Sequence, residues 1–218
     1  MRFSDPNILV SPFAGNHFCT IDGANIAFVA IAKNAVTLLK QLAIYSKTNY
    51  IAKDEDEIHE LVGYTEHNGY LLPVNKSEEL ERRNIIRFAV WRDPVERLIS
   101  CYKYFILEKN YRTYYAYLNL HQEPSFDRFM DFVRFELSKT NPIYQDEHIR
   151  RQSDFYSLKD VDFVVPINKI NIFLQEHGVY LLNEKINMTS INFKLDDLDY
   201  IKEIKDLYRN DYNITINY

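Results

Sequence analysis

Lys33 and Thr37 stand four residues apart, where an apolar run gives way to a helical pattern. The run, Ile26–Ala32, contains β-branched residues and a phenylalanine and is typical of a short buried strand. From Ala35 onward, apolar residues recur with the spacing of one helix face. The first amides of a helix have no carbonyl partner within it and favour anions, as does a nearby ammonium group. The pattern therefore predicts an anion-binding turn between a strand and a helix.

A second junction of this kind carries an arginine. Residues 84–91 are predicted to form a strand that ends at Arg92, after which Asp93 suits an N-cap and Pro94 suits the first helical position. Ser100 follows about two helical turns later. A guanidinium and a hydroxyl so placed can hold one phosphate, because arginine offers two parallel donors.

The turn at Lys33 is not the phosphate loop of kinases and GTPases. That loop requires Gly-x-x-x-x-Gly-Lys-Ser/Thr. Here no glycine lies between Gly23 and Gly63, and the lysine precedes the threonine by four residues. A small-molecule kinase with a divergent loop is therefore a disfavoured alternative.

The sequence around Arg92 resembles a family motif. The string from Phe88 to Tyr102, FAVWRDPVERLISCY, is similar to the 3′-phosphate motif F-x-x-V-R-[DEH]-P-x-E-R-L-x-S-x-Y of the carbohydrate sulfotransferases of the chondroitin type, sulfotransferase family 2. The Lys33-x-x-x-Thr37 turn, upstream in the expected order, looks like the loop of these enzymes that grips the 5′-phosphosulfate of PAPS (3′-phosphoadenosine 5′-phosphosulfate).

The resemblance extends from about Ile26 to Tyr212. Four further segments look like family motifs: residues 126–133, 146–152, 161–170 and 206–212. Two positions depart from the family pattern. Ala32 stands where proline is usual, and Pro166-Ile-Asn168 replaces the usual Gly-Lys-x-Glu, so we assign no function to that segment.

Strands that alternate with helices predict an α/β fold with a central parallel sheet covered by helices on both faces. The resemblance implies the three-layer, P-loop-like form of this fold, and the length predicts a single domain over residues 1–218. Ligands of such sheets bind beyond the carboxyl ends of the strands. Both predicted phosphate sites lie at strand ends.

The resemblance also implies a reaction and its participants. The donor is PAPS, which leaves as PAP, no metal is needed, and the acceptor is a hydroxyl compound of the glycan class. Such transfer depends mainly on positioning and charge stabilisation, by analogy with phosphoryl transfer. The implied cofactor-binding residues are Lys33 at the bridging oxygen, the amides of Asn34, Ala35, Val36, Thr37 and Leu38 with the Thr37 hydroxyl at the 5′-phosphosulfate, and Arg92 with Ser100 at the 3′-phosphate.

The acceptor hydroxyl requires a general base, commonly histidine or glutamate. Related enzymes place the base between the two cofactor motifs, where His59 and His67 lie. His59 falls in an acidic, helix-like segment and is expected at the surface, whereas His67 lies in a turn-like segment. His148 belongs to one of the family-like segments. We predict His67, then His148, as catalytic beside Lys33, and an ordinary structural histidine is the competing interpretation at each position.

The composition excludes several other classes of protein. A formal net charge of −5 argues against a general nucleic-acid binder, and two cysteines do not make a disulfide framework. No apolar stretch approaches the roughly 20 residues of a membrane span, and the N-terminus lacks the apolar core of a signal peptide. The animal enzymes of the family carry a Golgi anchor, and no such segment is apparent in this sequence. We therefore expect a cytoplasmic protein of bacterial type. Its oligomeric state is left open.

One alternative comes from a different functional class. A nucleotide-binding protein could keep the cofactor pocket and transfer no sulfate, and the departures at Ala32 and Pro166 motivate that interpretation. Against that interpretation, the sequence keeps all four side chains predicted to contact phosphate, which are Lys33, Thr37, Arg92 and Ser100.

Overall fold

The computed structural model describes residues 16–63, 69–107, 125–179 and 193–218, which divide into two compact units. The sheet unit comprises the described residues of 16–92, 152–179 and 214–218. The helical unit comprises those of 93–151 and 193–213. The prediction of one domain over residues 1–218 stays a prediction.

The sheet unit is built on a five-stranded mixed sheet. Its strands are β1 (His17–Ile21), β2 (Ile26–Val29), β3 (Leu71–Pro73), β4 (Ile86–Trp91) and β5 (Phe163–Pro166). Their spatial order is β3-β1-β2-β4-β5. Strand β4 is parallel to β2 and β5, with Phe88 opposite Phe28 and Phe163, whereas β1 is antiparallel to both of its neighbours. Four strands therefore run in the same direction. The sequence predicted a parallel sheet, and the structure corrects this prediction at β1, which runs in the opposite direction.

Eight α-helices lie in the described residues. They are α1 (Val36–Thr48), α2 (Glu55–Val62), α3 (Ser77–Arg82), α4 (Pro94–Leu107), α5 (Phe126–Leu137), α6 (Ile170–Glu176), α7 (Leu198–Leu207) and α8 (Arg209–Tyr212). The first three and α6 belong to the sheet unit, and the other four to the helical unit. No helix among the described residues is long and apolar enough to cross a membrane.

The strands of the sheet unit separate two apolar cores, because successive side chains of a strand point to opposite faces. One core contains Phe28 and Phe88 and packs against α1, α2 and α6. The other contains Phe18 and Ala89 and is covered by Leu80 of α3 and by residues 155–161. Helices therefore cover both faces of the sheet, which is an α/β arrangement.

The helical unit has a core of aromatic residues from α4, α5 and α7. Leu98, Cys101 and Phe105 of α4 are fully buried in it, and their spacing places them on one helix face. The cap of α4 is confirmed, because Asp93 Oδ1 accepts from the Val95 and Glu96 amides at 2.9 and 3.2 Å. Local sequence patterns thus correctly locate the start of the helix that follows the second junction.

Candidate functional site

The turn between β2 and α1 has an unusual backbone. Lys33 and Ala35 both have left-handed conformations, with φ of 66° and 60°, although neither is glycine. A left-handed conformation costs a residue with a Cβ about 1–3 kcal/mol and persists only where its surroundings enforce it. Two such residues on either side of Asn34 bend the chain sharply into the helix. Alternation of this kind is one way in which backbone amides are brought together around an anion.

The first helical turn of α1 supplies amide donors. The Ala35 carbonyl accepts the first helical bond, from the Leu39 amide at 3.1 Å. Helix geometry therefore leaves the amides of residues 36–38 without an intrahelical carbonyl. The Asn34 amide differs, because it donates to the Ile31 carbonyl at 3.2 Å within the turn. Three of the five predicted amides thus lie at the helix terminus itself, where the dipole favours an anion.

A buried glutamine connects this turn to the end of β4. The side chain of Gln152 is fully buried; its Oε1 accepts from the Arg92 amide at 3.0 Å, and its Nε2 donates to the Arg92 carbonyl at 2.8 Å. The same Oε1 accepts from Asn34 Nδ2 at 2.6 Å, and Asn34 Nδ2 also donates to the Val90 carbonyl at 2.6 Å. The two predicted cofactor junctions are therefore joined through side-chain amides.

The arginine at the end of β4 makes a further link. Arg92 Nη1 donates to the Lys33 carbonyl at 2.8 Å. The predicted 3′-phosphate residue thereby fixes the backbone of the predicted catalytic lysine. Within the sheet unit, the structure therefore places the Arg92 side chain against the Lys33 backbone, and the phosphate-binding roles of the two residues stay predictions.

An acid–base cluster lies beside the first turn of α1. The Thr37 hydroxyl donates to Glu55 Oε1 at 3.2 Å. His59, one turn further along α2, places its Nε2 3.5 Å from the same oxygen, and its Nδ1 lies 3.2 Å from Nζ of the buried Lys40. About a quarter of each of the Glu55 and His59 side chains is exposed. The expectation of His59 at the surface is therefore corrected.

The electrostatic setting of Glu55 keeps it ionised. Burial works to raise the pKa of the Glu55 carboxyl, but the hydrogen bond with His59, the positive charge of Lys33 and the Thr37 hydroxyl outweigh burial and lower the pKa below its ordinary value. An ionised carboxylate therefore lies beside the predicted phosphosulfate turn.

His148 lies in the helical unit beside an aspartate. Asp146 Oδ1 accepts from the His148 amide at 2.9 Å and lies 3.1 Å from its Nδ1. The His148 ring stacks on Tyr104 with centroids 5.6 Å apart. Ser100 lies on α4 of the same unit and is half-buried. The pairing of Ser100 with Arg92 around one phosphate stays a prediction from the sequence, and His67 lies outside the described residues.

Sequence reasoning assigned no role to Glu55 or Gln152 and expected His59 at the surface. Glu55 and His59 stand at i and i+4 on α2, and this spacing, which places them on one helix face, is the sequence signal that links them. Gln152 is the last residue of a family-like segment, and no local pattern indicates that its side chain contacts Asn34 and Arg92. Within the described ranges, no three His, Cys, Asp or Glu side chains gather as a metal site would require.

Comparison with known families identifies a matching sequence model. The sequence model described as the sulfotransferase family, family 2, matches residues 16–176, which include both junctions, Glu55 and Gln152. Neither the curated proteins nor the solved structures compared with the chain contain a match.

Proposed function

Because the chain belongs to the sulfotransferase family, we propose that it transfers a sulfuryl group from PAPS to a hydroxyl acceptor of the glycan class and releases PAP. The observation that carries this proposal is the β2–α1 turn, where Arg92 Nη1 donates to the Lys33 carbonyl next to the N-terminal amides of α1. When bound, PAPS supplies the sulfuryl group and the phosphate from which it leaves.

The donors at the turn suit a dianionic group. They comprise an ammonium, a guanidinium, a hydroxyl and backbone amides at a helix N-terminus, which are the groups that bind phosphates and sulfates in proteins. The Thr37 hydroxyl and the amides of residues 36–38 would hold the phosphosulfate. Lys33 would stabilise the charge that develops on the bridging oxygen, which makes its contribution larger in the transition state than in the ground state.

Arg92 would bind the 3′-phosphate, with Ser100 as the second predicted ligand. The Gln152 amide holds the Arg92 backbone at both its N–H and its C=O. A guanidinium on so fixed a backbone can discriminate a nucleotide with a 3′-phosphate from one without it. This discrimination distinguishes a PAPS enzyme from a kinase.

The first experiment is a ligand titration followed by thermal unfolding. PAP should raise the melting temperature more than ADP or ATP at equal concentration. At a ligand concentration of about 100 Kd, the stabilisation is about 2.7 kcal/mol. Sulfate-labelled PAPS with a panel of neutral and acidic glycans then identifies the acceptor. Stabilisation by ATP with none by PAP would contradict the proposal and favour the kinase.

A further inference from the structure

Side chains hold the backbone of residues 147–151 in the helical unit. The segment is neither helix nor strand, yet four consecutive carbonyl groups in it each accept a hydrogen bond from a side chain. The donors are Arg97 Nη2 to Glu147 at 3.0 Å, Cys101 Sγ to His148 at 3.2 Å, the Tyr208 hydroxyl to Ile149 at 2.6 Å and Arg97 Nη1 to Arg150 at 2.9 Å. Because each bond fixes one peptide group, the segment has a defined path through the unit.

Arg97 of α4 makes two of these four bonds. It is only 1% exposed, and its two terminal nitrogens bind carbonyls that lie three residues apart in the chain. A planar guanidinium offers donors in a fixed fork, whereas an ammonium is a compact point charge. Arg97 belongs to the same family-like motif as Arg92, but its fork is directed at the backbone of the protein. The motif alone does not reveal this difference between the two arginines.

The end of α7 supplies the other half of the hold. Tyr208 is fully buried, and burial raises the pKa of its hydroxyl well above the ordinary value, although the charge of Arg97 opposes the rise. The hydroxyl therefore keeps its proton and donates it to the Ile149 carbonyl. In the opposite sense, Arg151 Nε donates to the Leu207 carbonyl at 2.8 Å. The segment and the chain around Tyr208 are thus bonded in both directions.

The segment leads directly to Gln152, where the chain enters the sheet unit. Gln152 Oε1 accepts from the Arg92 amide and its Nε2 donates to the Arg92 carbonyl, so one side chain makes two bonds of opposite sense. Both bonds form together only when the Gln152 backbone is correctly placed, because hydrogen bonds weaken steeply with misalignment. The path of residues 147–151 therefore bears on how firmly Arg92 is held.

From these contacts we propose that Arg97 and Tyr208 are positioning residues for the 3′-phosphate site, which fix the backbone of residues 147–151 and act on Arg92 through Gln152. The inference rests on the proposed function, and it gives Arg97 no contact with the ligand. It also gives one physical role to three family-like segments, which are the motif around Arg92 and residues 146–152 and 206–212.

Two conservative substitutions test the inference, each with a matched control in the helical unit. Tyr208→Phe removes the hydroxyl donor and keeps the buried ring, and Tyr200→Phe removes a hydroxyl from α7. Arg97→Lys keeps the charge and loses the fork, and Arg134→Lys makes the same change at an exposed ion pair. Calorimetry measures the preference for PAP, which is the ratio of the dissociation constants of AMP and PAP. Both ligands titrate the same folded fraction, so a loss of stability alone does not change this ratio.

Tyr208→Phe and Arg97→Lys should each lower the preference by about 2- to 30-fold, the range for substitutions that act through a network of contacts. The two controls should retain it. An unchanged preference in both Tyr208→Phe and Arg97→Lys would overturn the inference. A loss confined to Arg97→Lys would also overturn it, because Tyr208→Phe leaves the guanidinium in place and such a result is typical of a direct phosphate ligand.

A double-variant cycle tests the route through Gln152. Gln152→Leu removes both side-chain bonds to Arg92, so adding Arg97→Lys to it should lower the preference no further. A further loss as large as that of Arg97→Lys alone would show that Arg97 acts independently of Gln152 and would overturn the inference. A wild type that binds PAP no better than AMP would overturn the proposed function, and the inference with it.

Discussion

At the scale of single residues, Arg92 and Lys33 each combine a structural role in the turn before α1 with a predicted role in ligand binding. Arg92 is a predicted phosphate ligand, and its Nη1 also holds the Lys33 carbonyl. Lys33 in turn has a left-handed backbone that its neighbours must enforce. Loss of one side chain at this turn therefore changes both the charge of the site and the position of its backbone.

Arg92→Ala should weaken PAP binding. The change removes a charge-assisted phosphate contact, a loss of roughly 1.5–3 kcal/mol, and it also releases the Lys33 carbonyl. Arg92→Lys should recover part of the affinity, because a single ammonium keeps the charge and loses the two-pronged geometry. Calorimetric titration of PAP measures both variants, and an affinity unchanged in Arg92→Ala would refute the 3′-phosphate assignment.

At the scale of secondary-structure elements, the two strand-to-helix junctions are connected by side-chain hydrogen bonds. The Gln152 side chain bonds both backbone groups of Arg92 and the Asn34 side chain, so β4 and the β2–α1 turn share one hydrogen-bonded bridge. A change in one junction is thereby passed to the other. We expect the bridge to affect nucleotide selectivity more than it affects folding.

Gln152→Leu tests this expectation against Gln41→Leu. Gln41 is equally buried in the same unit, and its side-chain amide similarly pairs with backbone, at Tyr50 and Ala52. Both changes should destabilise the fold by about 1–3 kcal/mol, since buried backbone groups lose partners. Only Gln152→Leu should reduce the preference for PAP over AMP, which lacks the 3′-phosphate. The ratio of the two dissociation constants measures this preference, and an equal ratio in both variants would show that the bridge is purely structural.

The elements also show what could be predicted from the sequence. Helix α1 and the Asp93 cap of α4 follow from residues close together in the chain, so spacing alone located them. The Asn34–Gln152 bond joins residues 118 positions apart, and the Thr37–Glu55 bond joins residues 18 apart. Contacts of this kind depend on how the sheet pairs, which local patterns do not encode. The reversed β1 is a different case, because it pairs with β2 across the short connection 22–25, and the Asp22-Gly23 dipeptide there is a local hairpin signal.

At the scale of the whole molecule, the chain is acidic, with a formal net charge of −5, yet its proposed ligand is a polyanion. Binding therefore depends on local placement of Lys33 and Arg92. Stability depends on other charges. In the helical unit, the fully buried Glu136 pairs with Lys139 at 2.7 Å and also accepts from the Asp146 amide at 2.6 Å. Burial raises the pKa of Glu136, although Lys139 opposes the rise.

Lys139→Met should destabilise the protein by roughly 3–5 kcal/mol, because it leaves a buried carboxylate without its counter-charge. Adding Glu136→Gln should restore most of that stability, since glutamine is neutral and keeps an acceptor for the Asp146 amide. The penalty of Lys139→Met alone should shrink as the pH falls, and be smallest below the ordinary carboxyl pKa, where Glu136 is protonated in both the folded and the unfolded state. Urea unfolding of the single and double variants at two pH values provides the measurement. A double variant no more stable than Lys139→Met would show that the buried charge is not the cause.

The proposal that the Lys33 turn is the site of sulfuryl transfer is tested most directly by single-turnover transfer from labelled PAPS, with a PAP titration alongside, for the wild type, Lys33→Ala and Lys33→Arg. The amides of α1 remain in both variants, so PAP should still bind measurably. Transfer should fall far more than affinity in Lys33→Ala, and Lys33→Arg should not restore it fully, because a planar guanidinium does not replace a compact ammonium. Transfer near the wild-type rate in Lys33→Ala would contradict the account and favour a nucleotide-binding role for the turn.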